Sequence, residues 1–234
     1  MQIAILNCDR VDPHLAKTFG EYPDMFIHHL SAQDSRLSYQ IFNTLEGELP
    51  ELEDFDGFLI TGSRHNAYDQ HPWILQLQTW IQQCHQLKRP LAGICFGHQI
   101  IARALGGAVS KSDKGWGLGV AQNSLTKPPS WSELSSESFN ILVSHQDQVS
   151  QLPDAAVLLA SSDFCPYFMF QISEHIFAIQ GHPEFDKDYA AALIDKRQLI
   201  LSPNQFVLAK SSLNHTLNAE LVFTWILQMY RQNV

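Results

Sequence analysis

Short apolar runs bounded by turn residues mark the first half of the chain. Residues 2–6 read as a buried strand at the N-terminus, and residues 58–60 (Phe58-Leu59-Ile60) as another, ending in the turn signal Thr61-Gly62-Ser63. Pro72–Gln86 places Trp73, Leu77, Trp80, Ile81 and Cys84 at helical spacing, with the proline at its start where the first turn favours it. Leu91–Ile94 is a third strand candidate. It runs through Cys95-Phe96-Gly97 into a helix expected over 98–105, stopped by Gly106-Gly107.

The middle of the chain changes character. Residues 109–125 carry turn residues around Trp116 and predict short strands and loops, and 126–138 predicts a surface loop or short helix. Strands are expected at 141–143, 156–159 and Ile176–Ile179, and helices at 188–199 and 214–230. The last of these puts Leu217, Leu221, Trp225 and Met229 on one face. Strands alternating with helices at both ends predict an α/β fold. Its sheet is expected to be mostly parallel with helices on both faces, and the β-rich middle suggests a small antiparallel insertion.

Composition narrows the function classes. The 234 residues are 45% hydrophobic and 17% charged, enough apolar material for a core. Fifteen Lys+Arg against 24 Asp+Glu give 15 − 24 = −9, a balance that argues against nucleic acid as a direct ligand. No apolar run reaches the ~20 residues that span a bilayer, so no membrane role is expected. The N-terminus lacks the basic and long apolar regions of a signal peptide. Four cysteines, Cys8, Cys84, Cys95 and Cys165, form no C-x-x-C pair, which suggests a reducing, cytoplasmic compartment. Eleven histidines show no metal-ligand spacing, so neither a metal nor another cofactor is expected.

The strongest chemical signal is Gly93-Ile94-Cys95-Phe96-Gly97. A nucleophile flanked two residues away by glycine, between a strand and a helix, is the cysteine form of a nucleophile elbow. Side chains at the flanking positions would collide with neighbouring backbone, the helix N-terminus favours thiolate, and the Phe96 N–H is offered to an oxyanion. Acyl transfer also needs a proton donor for the departing amine. His182, in Gly181-His182-Pro183-Glu184 after a strand, is the candidate, and Glu184 two residues on can hold its tautomer. The other cysteines and Trp73, Trp80 and Trp225 read as structural.

These residues resemble the class I (triad-type) glutamine amidotransferase domain. The match rests on Gly93-Ile94-Cys95-Phe96-Gly97-His98-Gln99 and Gly181-His182-Pro183-Glu184. Thr61-Gly62-Ser63 and Ser144-His145-Gln146-Asp147-Gln148-Val149 give weaker support in the same order. The resemblance spans residues 2–185. It implies a flavodoxin-like sheet with the elbow at a strand's carboxyl end. It also implies a Cys95–His182–Glu184 triad that forms a γ-glutamyl thioester, and an oxyanion hole from the Phe96 N–H and the Gly62–Ser63 turn. Gln99 and the backbone of Ser144, His145 and Gln146 would hold the substrate. The domain is placed at 1–185, and 186–234 is expected to be a C-terminal helical extension packed on it, with no assigned motif.

The chain departs from the synthetase relatives in its Thr-Gly-Ser-Arg loop, where Gly-Gly-Pro is usual, and that removes proline as a source of rigidity. No synthetase domain follows, and the combination is similar to the stand-alone GMP synthase-like branch and to plant γ-glutamyl peptidases. The leading expectation is a glutaminase-type amidotransferase that releases ammonia from L-glutamine, to a separate ammonia-accepting synthetase or to solvent. The alternative is a γ-glutamyl peptidase or hydrolase acting on small γ-glutamyl compounds. A third class is a non-catalytic redox sensor or binding module that reuses the fold.

Overall fold

The computed structural model describes residues 1–133 and 136–233. In chain order the first half comprises β1 (Gln2–Asn7), α1 (Pro13–Phe19), α2 (Tyr22–Gln33), β2 (Ser38–Asn43), β3 (Gly57–Ile60), α3 (Pro72–Gln86), β4 (Leu91–Ile94) and α4 (Phe96–Ala104). It continues with β5 (Ala108–Lys111), β6 (Gly117–Leu125), β7 (Ser138–His145), β8 (Asp147–Gln151), β9 (Ala156–Ser161), β10 (Met169–Ile172), β11 (Ile176–Ile179), α5 (Lys187–Lys196), α6 (Pro203–Ser212) and α7 (Ala219–Gln232).

Nine strands form one sheet in the order β2-β1-β3-β4-β11-β10-β9-β6-β7. The first five are mutually parallel, with Ile5 opposite both Ile41 and Leu59, and Ala92 opposite Leu59 and Phe177. That order is the flavodoxin-like one. The remaining four run antiparallel, so much of the β-rich middle extends the main sheet. It does so because Phe139, Ile141, Val143 and Leu159 bury into the same core. The expected small antiparallel insertion is the separate β5–β8 pair.

Apart from the edge strand β2, the parallel strands are buried on both faces, as covered parallel sheets require. Ile3 and Ile5 face one core with Phe26 and Leu30 of α2 and Phe223, Trp225 and Tyr230 of α7. Ala4 and Leu6, one residue out of phase, face the other with Ile74, Leu77 and Ile81 of α3 and Ile100 and Ile101 of α4. The Tyr230 hydroxyl donates to the Phe58 carbonyl at 2.7 Å. A Cβ at Gly57 would stand 2.8 Å from the Tyr230 ring, so the strand start and the last helix are fitted to each other.

Several elements differ from the pattern-based expectation. α4 begins at Phe96 rather than 98, because Cys95 at φ 54° breaks the strand and caps the helix directly. α7 begins at Ala219 rather than 214. Asn218 exchanges hydrogen bonds with the edge of β7, its amide giving to the Asn140 carbonyl at 2.9 Å and its side chain accepting the Asn140 amide at 2.8 Å. Leu217 therefore precedes the helix. α1, α2, β2, β10 and α6 carry no strong periodic signal and emerge only in three dimensions. The stretch expected at 126–138 as loop or short helix contains no helix among its described residues, and 134 and 135 lie outside them. Among the described residues no helix is long and apolar enough to cross a membrane.

Candidate active site

Cys95 sits at the carboxyl end of β4, near the middle of the sheet, where open α/β sheets place their sites. Its φ of 54° is rare for a non-glycine residue and stores local strain. The flanking glycines permit the turn. A Cβ at Gly93 would stand 2.6 Å from the Gly97 carbonyl oxygen, and one at Gly97 would stand 2.5 Å from that of Ile60. The Phe96 ring turns into the core against Trp73, with centroids 5.6 Å apart, so only the Phe96 backbone faces the site. As first residue of α4 its N–H has no acceptor within the helix.

The chain from β11 brings the histidine. The His182 amide donates to the Leu142 carbonyl at 2.7 Å, pinning this segment to β7. A Cβ at Gly181 would stand 2.3 Å from Ile141, so that approach requires glycine. His182 Nδ1 donates to Glu184 Oε1 at 2.7 Å, since a carboxylate can only accept. Nε2 is left for the sulfur side. His182 and Glu184 are both buried. Burial alone would lower the His182 pKa, but the neighbouring Cys95 sulfur and then the Glu184 carboxylate outweigh it and raise it to about 10. Phe185 stacks flat on the imidazole, with centroids 4.0 Å apart and planes 6° apart. Tyr189 meets Phe185 edge-on at 4.6 Å, and its hydroxyl donates to that of Tyr22 at 3.2 Å.

The Gly62–Ser63 turn reaches the same point. A Cβ at Gly62 would stand 2.9 Å from the His182 ring and 3.7 Å from the Cys95 Cβ. Without proline, the loop is held by its polar residues. Thr61 Oγ1 accepts from the Cys8 amide at 2.9 Å and donates to the Gly62 carbonyl at 3.1 Å. The Arg64 amide donates to Asp9 Oδ2 at 2.7 Å, and its guanidinium pairs with Asp9 at 2.9 Å.

Two cavities meet at Cys95. One, of about 290 Å³, lies beside His182 and is walled by Asp9, Tyr22, Phe185 and Tyr189. The other, of about 330 Å³, is lined by Gln99, Ser144, His145 and Gln146. Gln99 spends its amide nitrogen on the Asp147 carbonyl at 2.8 Å and on Gln180 Oε1 at 3.1 Å. Gln180 in turn donates to Cys95 Sγ at 3.5 Å. Gln99 thus positions the β7–β8 turn as well as lining the cavity. His145 Nδ1 donates to the Asp147 carbonyl at 3.0 Å, and burial lowers its pKa to about 4, so the ring is neutral near pH 7. His98 is likewise neutral, lowered to about 3 by burial and then by His145.

The structure thus brings together the candidate site residues singled out in the sequence. Gln180, Phe185, Tyr22, Tyr189 and Arg197 were passed over: Gln180 and Phe185 only flank the Gly181–Glu184 motif, and Tyr22, Tyr189 and Arg197 reach the site through tertiary packing. The other cysteines are buried and lack this setting, and burial pushes the Cys8 and Cys165 thiols up to about 12. One grouping escaped the search for ligand spacing. His65, Asp69 and His71 hold their ligand atoms within 4.8 Å of one another on the loop after Ser63.

A sequence model of the family described as class I glutamine amidotransferase matches residues 24–199, past the boundary expected at 185. γ-Glutamyl peptidase 3 of Arabidopsis thaliana is 34% identical over 201 residues, covering 82% of this chain and 79% of its own. γ-Glutamyl peptidase 4 of the same plant is 37% identical, covering 77% and 74%. A glutamine-hydrolysing GMP synthase of Streptococcus uberis is 27% identical, over 72% of this chain but 29% of its own. Among solved structures, a glutamine amidotransferase from Thermotoga maritima superposes with a TM-score of 0.74 at 18% identity, covering 98% and 96% of the two chains. The chain belongs to the class I glutamine amidotransferase family and is similar to plant γ-glutamyl peptidases and to GMP synthases.

Proposed function

We propose that the protein is a cysteine hydrolase of γ-glutamyl amide bonds that acts on small γ-glutamyl peptides in preference to L-glutamine. The observation that carries this reading is the cavity of about 290 Å³ beside His182, on the side where the leaving amine must depart. Ammonia occupies about the volume of a water, roughly 30 Å³, and an amino acid needs the remainder. The similarity to γ-glutamyl peptidases over 82% of the chain supports the same choice.

In this reading the Cys95 thiolate attacks the γ-carbonyl carbon. A C–S bond forms, and the oxygen takes the negative charge opposite the Phe96 N–H and the Gly62–Ser63 turn. Collapse breaks the C–N bond, and His182 Nε2 gives its proton to the departing amine. Water then attacks the thioester and returns a proton to His182. The C–S bond breaks, releasing glutamate and restoring the thiolate. Glu184 stays ionised and holds the imidazole. The glutamyl half would lie in the cavity of Gln99, Ser144, His145 and Gln146. No step calls for a metal or other cofactor. Residues 186–234 are read as part of the same domain, because α7 fills its core and α5 walls its cavity.

Glutaminase activity is the second reading, favoured by the family match and by the Gln99–Gln180–Cys95 network behind the sulfur. A paired turnover assay decides, with Cys95→Ala as blank. One arm supplies L-glutamine and reads ammonia, and the other supplies γ-glutamyl dipeptides and reads free amino acid. Cysteine-dependent peptide cleavage at least tenfold more efficient than glutamine turnover is expected. The reverse preference overturns the peptide reading. Silence in both arms overturns hydrolysis and turns attention to a sensor or a partner-activated glutaminase.

A further inference from the structure

Besides His182, which is paired with Glu184, the cavity beside it carries three cationic side chains, Arg64, Lys196 and Arg197. Two are neutralised within its own wall. Arg64 pairs with Asp9 at 2.9 Å, and Lys196 pairs with Asp12. Arg197, at the C-terminal cap of α5, has no carboxylate within ion-pair distance among the described residues. One of its five N–H donors is given to the Leu193 carbonyl at 3.1 Å. Its guanidinium lies over the Trp116 ring, 4.6 Å from the centroid, which fixes its plane without supplying charge. Burial lowers its pKa, the signature of a cation stripped of water and not repaid by an acid.

A half-buried guanidinium with free donors is best completed by a planar oxyanion bound through two parallel N–H···O bonds. Arg197 lines both cavities, so the side of that anion must be argued. His182 lines only the first cavity, whereas Gln99, His145 and Gln146 line only the second. Proton transfer to the amine therefore puts the leaving group in the first. Its two internal ion pairs leave Arg197 as the one wall cation with unmet demand for an anion.

Resting on the γ-glutamyl hydrolase reading above, we propose that Arg197 is the receptor for a free carboxylate on the amine that leaves, so that the substrate class is a γ-glutamyl amino acid or short peptide with an open C-terminus. Trp116 and Leu193 hold the guanidinium in the plane that a carboxylate meets edge-on. Capping that carboxylate as an amide removes the partner while leaving the scissile bond unchanged.

The test compares γ-glutamylglycine with γ-glutamylglycine amide as substrates for the full chain. The wild type is expected to favour the free acid by about 10- to 100-fold in kcat/KM, carried mainly by KM, as fits one charge-assisted bidentate contact. In Arg197→Gln that ratio should fall by tenfold or more, and Arg197→Lys should restore part of it. Equal use of acid and amide by the wild type overturns the proposal. So does an Arg197→Gln variant in which both substrates lose efficiency together, since Arg197 would then serve the shared glutamyl half or the fold. Calorimetric binding of the same two compounds to Cys95→Ala reads the preference without turnover. A chain that hydrolyses nothing but still binds the acid at least tenfold tighter than the amide therefore upholds the Arg197 site while the hydrolase reading fails.

Discussion

On the β4–α4 side of the Cys95 sulfur, position is fixed by backbone. A positive φ and two glycines at which any Cβ would stand within 2.6 Å of a carbonyl oxygen leave one path for the chain, and the helix N-terminus follows at once. On the β11–α5 side, position is fixed by side chains from distant elements. Phe185 lies flat on His182, Tyr189 and Tyr22 hold Phe185, and Arg197 closes the cavity from the end of α5. In the proposed reaction the elbow would present the same attacking atom and backbone donors to any γ-glutamyl compound. The stacked wall can vary without disturbing it, and that is where discrimination between leaving groups belongs. A nucleophile made by backbone strain beside an amine site made by side-chain packing can keep one chemistry while changing substrate.

The largest expected effects come from the reacting groups. Cys95→Ala and His182→Ala should each lower kcat by at least about 10⁴-fold. Glu184→Ala should cost one or two powers of ten less, because it orients rather than reacts. Thermal melts of all three must stay cooperative for the comparison to count, and a Cys95→Ala enzyme with retained turnover breaks the account. The two walls should then fail differently. Gly97→Ala forces a Cβ onto the Ile60 backbone and should destabilise the fold by about 1–3 kcal/mol, a fall in Tm of roughly 2–10 °C. Phe185→Leu should leave Tm much closer to wild type and lower kcat about tenfold through a loosened imidazole. If Phe185→Leu unfolds the protein while Gly97→Ala does not, the division between backbone-fixed and packing-fixed walls is wrong.

The smallest effect is a difference in pH response. His98, on the elbow side, has a folded pKa near 3, below its unfolded value of about 6.5. The unfolded chain therefore takes up its proton first, and stability falls as pH drops below about 6.5. His182 is the opposite case. Its folded pKa of about 10 lies above the unfolded value, so its contribution is complete below about pH 6.5 and is lost as pH rises through about 10. Urea midpoints measured from pH 5 to 10 should show a shallower acid limb in His98→Asn and a shallower alkaline limb in His182→Asn. Parallel curves for both variants would remove the distinction.

The same contrast explains what could be read from the sequence. The elbow, the His182–Glu184 pair and the Gly62 turn were legible because each is a short segment whose chemistry depends on neighbours in the chain. Pro72–Gln86 was legible because burial on one face imposes a helical period, and Leu91–Ile94 and Ile176–Ile179 because burial on both faces imposes a continuous apolar run. β2 was not, since its edge position leaves it largely exposed and without an apolar run. α6 was not, since its apolar residues are scattered around it and only Ala209 is buried. Arg197 was illegible for another reason. Its meaning lies in the acid it lacks, and that shows only once Asp9 and Asp12 are seen to be taken by Arg64 and Lys196. The absence of proline from the Thr61-Gly62-Ser63 loop was visible, but the Asp9–Arg64 and Cys8–Thr61 contacts that hold the loop join residues more than 50 apart.

The most direct test of the central claim is to trap the acyl-enzyme. The full chain is mixed with saturating γ-glutamylglycine, quenched in acid within the first turnover, digested and read by mass spectrometry. The account predicts a glutamyl adduct on the peptide that contains Cys95 and on no peptide containing Cys8, Cys84 or Cys165. Turnover of the dipeptide with Cys95 unmodified at every quench time, or the adduct on another cysteine, would contradict it.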